Sequence, residues 1–227
     1  FCSVMMENEL HLRVIENKDW ATVLFVISFA AIAITKSAFE NRFADFAKLI
    51  YSDKYTNIYK DSNNLKSGFI ISLFFVQIIS LAFFVQLSLA AFGHASKTDW
   101  ILYIQIITFL IFFVLSKFLI EKIIATAFDI EEFVEQFNLQ KVTFRTYIGL
   151  FILPINIILF YYDSISRNFL IFIISTILII NILTYLVSIK NYQNIIFSKL
   201  FYFILYLCAL EIAPYYFMYY WFTKGIA

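Results

Sequence analysis

Cysteine and histidine are almost missing from this chain. Cys2 and Cys208 lie far apart, and the imidazoles are His11 and His94 alone. A disulfide framework, a zinc site and a haem site therefore have almost nothing to be built from, and no cofactor is expected. Glycine is scarce as well. Gly68, Gly93, Gly149 and Gly225 include no G-x-x-x-G pair, the device by which many membrane helices approach closely. Packing is expected to rest on interdigitated Phe, Ile and Leu with a few polar contacts. Charge is the third shortage: 15% of residues, where a soluble domain carries about a quarter. With 17 bases against 16 acids there is no net field to attract nucleic acid. The motifs G-x-x-x-x-G-K, G-x-G-x-x-G, H-E-x-x-H, C-x-x-C and G-x-S-x-G do not occur, and no catalytic constellation is visible.

What is abundant is apolar sequence, 62% of the chain. Crossing about 30 Å of hydrocarbon at about 1.5 Å per residue takes about 20 residues. Six runs qualify, at roughly 20–36, 67–92, 100–122, 146–163, 168–189 and 200–223. The chain thus reads as an all-α polytopic membrane protein with six transmembrane helices in one domain over 20–223, its first partner being the lipid bilayer. Trp20 and Lys36 bracket the first run, and Trp100 opens the third, as interfacial residues do.

Basic residues set the expected orientation. Lys36, Arg42, Lys48, Lys54, Lys60 and Lys66 follow the first run; Lys117, Lys122, Lys141 and Arg145 surround the third connection; Lys190 and Lys199 follow the fifth. The intervening connections hold only Lys97 and Arg167. The positive-inside rule puts the first, third and fifth connections in the cytoplasm and both termini in the periplasm of a bacterial inner membrane. Residues 1–19 are charged and lack the apolar core of a cleavable signal, so they are expected to form a periplasmic segment, with Met6 the natural start.

Two cytoplasmic segments have helical periodicity of their own. Over 38–60, Phe39, Phe43, Phe46 and Ile50 recur on one face. Over 129–142, Asp129 and Glu132 form a capping-box start, and Ile130, Phe133, Val134 and Phe137 lie opposite Glu131 and Glu135. Both read as amphipathic helices at the inner surface, and the second offers a docking face for a membrane or cytoplasmic protein partner.

Within the spans, four helices each place one polar side chain near mid-depth. Gln77 and Asn156 fall about 15 Å in, Asn181 and Glu211 about 18 Å. Pro154 stands two residues before Asn156, and Pro214 three after Glu211. Each proline frees a carbonyl four residues earlier, of Leu150 and Leu210. Glu211, Pro214, Asn181, Asn156, Pro154 and Gln77 thus make a candidate polar site in the midplane. Two roles fit it: an ionisable site for a proton, cation or polar head group, or neutral hydrogen-bonded glue between helices.

The stretches "ENKDWATVLF", "RFADFAKLIYSDKY" and "FYFILYLCALEIAPYYF" resemble the Bacteroidota integral membrane family known as domain of unknown function 4271. The likeness runs from about residue 13 to 224. It implies an inner-membrane protein of a Flavobacterium-like bacterium and no particular reaction. The expected function is a non-enzymatic subunit or scaffold of a cell-envelope complex; the alternative is a small transporter or lipid-handling protein built around Glu211.

Overall fold

A computed structural model describes residues 18–48, 67–93, 95–127, 131–162 and 167–191, together with Tyr216. Six helices make up these residues and no strand occurs among them: α1 (Asp19–Ala38), α2 (Glu40–Ala47), α3 (Gly68–Ala91), α4 (Trp100–Ala127), α5 (Glu131–Tyr161) and α6 (Arg167–Asn191). All but α2 contain a stretch long and apolar enough to cross a membrane. The sixth expected span, 200–223, lies outside the described residues.

Helix ends follow local chemistry. Asp99 caps α4, its Oδ1 accepting from the backbone N–H of Ile101 at 3.0 Å and of Leu102 at 3.2 Å. Gly93, at φ 82°, ends the turn after α3 in a conformation that side-chain-bearing residues rarely adopt. The largest departure from expectation concerns the fourth span. Lys141 and Arg145 set its expected start at 146, yet α5 runs unbroken from Glu131 to Tyr161, with its apolar window from Asn138. Segment 131–142 forms the first turns of that spanning helix. The charge of Lys141 is tolerated there because Glu121 of α4 faces it at 3.7 Å.

Contacts between rings and hydroxyls show how the helices run. Phe25 and Trp20 of α1 meet Phe83 of α3 at 4.3 and 5.7 Å, while Thr35 shares a 2.7 Å hydrogen bond with Ser72, so α1 and α3 are antiparallel. Helix α5 lies parallel to α3: Gln77 meets Thr146, Ser80 meets Asn156, and Phe83 meets Phe160. This α3–α5 pair is the most extensive contact and the centre of the bundle. Helix α3 buries Phe69, Leu73, Val76, Phe83 and Leu87 almost completely, as expected of a helix that is apolar all round.

The two ends of the bundle differ. At one, Trp20, Phe83, Tyr103 and Phe160 form a ring cluster with Phe25. At the other, Phe39, Phe43 and Phe46 pack edge-on against Phe69, Tyr147 closes over Phe46, and the Arg42 guanidinium lies 5.0 Å from the Phe69 ring centre. That second, basic end explains α2. Phe46 is buried, so the apolar face of this eight-residue helix is spent on the chain's own core.

Candidate functional site

The polar residues singled out at mid-depth are placed in three different ways. Gln77 is buried at the α3–α5 crossing, where its Oε1 accepts from the Thr146 hydroxyl at 2.9 Å. Asn156 is fully buried, and its Nδ2 donates to the Ser80 carbonyl at 2.7 Å and to the Ser80 hydroxyl at 3.3 Å. Its Oδ1 has no hydrogen-bond partner. Gln77 and Asn156 therefore share one seam, but the α5 residues of the two contacts, Thr146 and Asn156, are ten residues apart, about 15 Å along the axis. Asn181 stands apart from both. It is exposed on α6 and donates to the Ile177 carbonyl of its own helix at 2.8 Å.

Pro154 sits inside α5 without breaking it. It is exposed whereas Asn156, about 200° further round the helix, is fully buried, so the two belong to opposite faces. The exposed face carries the proline and the seam carries the amide. Glu211 and Pro214 lie outside the described residues. In the docking segment Ile130 also lies outside them, as do the side chains of Phe133 and Phe137; Val134 is buried within the chain, 3% exposed.

Gly149 makes the seam close. A Cβ placed there would lie 2.7 Å from Gln77 Cγ and 3.3 Å from Gln77 Cα. A single glycine thus serves the role expected of a G-x-x-x-G pair, since α3 and α5 need only one point of closest approach.

A further cluster was not anticipated from the sequence. Glu121 of α4 is 5% exposed. Its Oε2 accepts from Asn138 Nδ2 at 2.8 Å, and its Oε1 lies 3.7 Å from Lys141 Nζ, both on α5. Asn138 is buried too, as are Gln140 and Thr143 on the adjoining turns, and Gln140 Oε1 has no hydrogen-bond partner. The sequence did carry a signal. Glu121 is the only acid between Asp99 and Asp129, set among Lys117 and Lys122, and Asn138 and Lys141 share a helix face three residues apart. That it faces α5 rather than water follows from the α4–α5 hairpin, which a linear reading does not supply. Thr126 strengthens this hairpin by donating to Glu131 at 2.6 Å across the connection.

Chemically, then, the described interior offers paired amides and hydroxyls and one carboxylate neutralised by a lysine. No group of three or more metal-ligating side chains occurs among the described residues. No curated protein and no solved structure matches the chain. The family that does match is the one described as domain of unknown function (DUF4271), over residues 21–222, and the chain belongs to it.

Proposed function

We propose that this chain is a non-enzymatic subunit or scaffold of a cell-envelope complex, seated in a bacterial inner membrane with both termini in the periplasm. One observation carries the reading: the described mid-depth polar groups are used between or along helices, Gln77 on Thr146, Asn156 on Ser80 and Asn181 on Ile177. Such contacts specify how helices pack and need no ligand. The long exposed apolar faces of α4 and α6, with Phe112, Leu119 and Ile123 on one and Phe172, Ile179 and Leu186 on the other, are left for lipid or for a neighbouring membrane subunit.

The test is purification from the native membrane in mild detergent. A protein partner in fixed stoichiometry, retained through size exclusion, is the expected result; an isolated chain carrying a bound small molecule would reverse the reading. Glu211 supplies an independent arm. If the chain is a scaffold, Glu211→Gln keeps hydrogen bonding without ionisation and should complement a deletion fully. A folded Glu211→Gln chain that fails to complement would favour ion-coupled transport.

Orientation has its own measurement. Reporter fusions at Asn63 and Gln136 should read cytoplasmic, and fusions at Ser96 and the carboxy terminus periplasmic. A cytoplasmic carboxy terminus would overturn either the span count or the orientation.

A further inference from the structure

We propose that this chain pairs with a second copy of itself through the outward face of α4, with Gln105 on the two-fold axis. Ile101, Gln105, Thr108, Phe112, Leu115 and Leu119 are all exposed, and they follow one another at alternating steps of four and three residues. Such spacing keeps one stripe of a helix against a parallel neighbour crossing at a shallow angle, as in a left-handed helix pair. The bundle holds the other side of α4: Tyr103 and Glu121, both buried, lie about 200° round the helix from Ile101.

Exposed apolar side chains are ordinary on a helix that faces lipid and name no partner by themselves. The two polar residues of the stripe do. Counted from Trp100, Gln105 falls about 8 Å into the span and Thr108 about 12 Å. Neither side chain makes a hydrogen bond with any described residue. Thr108 is alone in this among the described threonines; Thr35, Thr126, Thr176 and Thr184 each donate to the carbonyl four residues back. Hydrocarbon offers no partner, so a carboxamide and a hydroxyl at this depth call for a neighbouring helix. A carboxamide carries both a donor and an acceptor, which makes it complementary to its own copy. Across a two-fold axis each Gln105 Nε2 donates to the other Oε1. One polar side chain in an apolar seam also fixes the register of a pair. No charged residue lies on the stripe from Ile101 to Leu119, so a like neighbour meets no repulsion there.

The scaffold reading concerns a different chain as partner, so loss of this pairing leaves it untouched. Light scattering of the purified chain in mild detergent should give twice the mass of one copy. Energy transfer between labelled copies in phosphatidylcholine vesicles then reads the affinity, which Gln105→Leu should weaken by about tenfold. Phe112→Ala, one helical repeat further along the stripe, should weaken it as well and carries the test if Gln105→Leu fails to insert. Asn181→Leu, exposed on α6 but bonded to its own Ile177 carbonyl, should leave it unchanged. A chain that stays monomeric at every concentration, or a Gln105→Leu dimer as tight as the parent's, would overturn the pairing. Capture of a different protein that is lost in Gln105→Leu would overturn the second copy as its occupant.

Discussion

Replacing Glu121 by alanine should cost this protein on the order of 3–5 kcal/mol, as expected for one partner removed from a buried ion pair. The carboxylate is 7% exposed and Lys141 10%, so water screens the pair little. Its loss removes the carboxylate that Lys141 faces at 3.7 Å and the acceptor that Asn138 Nδ2 meets at 2.8 Å. Glu121→Gln should be milder, because an amide oxygen still accepts from Asn138, although the negative charge facing Lys141 is lost. The double variant Glu121→Leu with Lys141→Met should recover most of the loss, because an apolar pair of similar volume avoids the desolvation that the ions suffer. Unfolding in a graded mixture of mild detergent and SDS measures all three. A Glu121→Ala chain as stable as the parent would mean that α4 and α5 do not meet at this point.

The second large effect is expected at the centre. Gly149→Ala should destabilise by about 1–3 kcal/mol, the usual range for overpacking, and Gly149→Leu by more. The added methyl collides with Gln77 Cγ at 2.7 Å, and Cγ is too close to the backbone to swing aside, so α3 and α5 must part. Their separation would also lengthen the Gln77–Thr146 bond. Gln77→Ala removes the atom in the way and should partly offset the Gly149→Ala penalty, so the double variant is expected to be less damaged than the sum of the singles. The same unfolding assay reads this cycle. Strict additivity would place the closest approach of the two helices elsewhere.

Both effects concern residues that a linear reading undervalues. Gly149 was passed over because the chain has no G-x-x-x-G pair and packing was expected to rest on large apolar side chains, yet here α5 closes on the side chain of Gln77. Lys141 read as part of the third cytoplasmic connection, and it lies inside the long helix α5, where Glu121 faces it. Phe39, Phe43 and Phe46 had the periodicity of a surface helix, and the described part of that helix turns their rings onto Phe69 of the chain itself.

The helical class and the presence of five helices long and apolar enough to cross a membrane were legible because they depend on local quantities, runs of about 20 apolar residues. Gln77 and Asn156 were legible as exceptional for the same reason, since a polar side chain at mid-depth must be satisfied wherever it points. Which partner satisfies each is a different kind of fact. Thr146, Ser80 and the Glu121–Asn138–Lys141 cluster become neighbours only when α5 lies parallel to α3 and antiparallel to α4. That arrangement depends on the summed fit of many large side chains across helices distant in sequence, and no short stretch of the chain encodes it. Tertiary structure alone put Asn156 on the seam, Pro154 on an exposed face, and the Asn181 amide on its own helix.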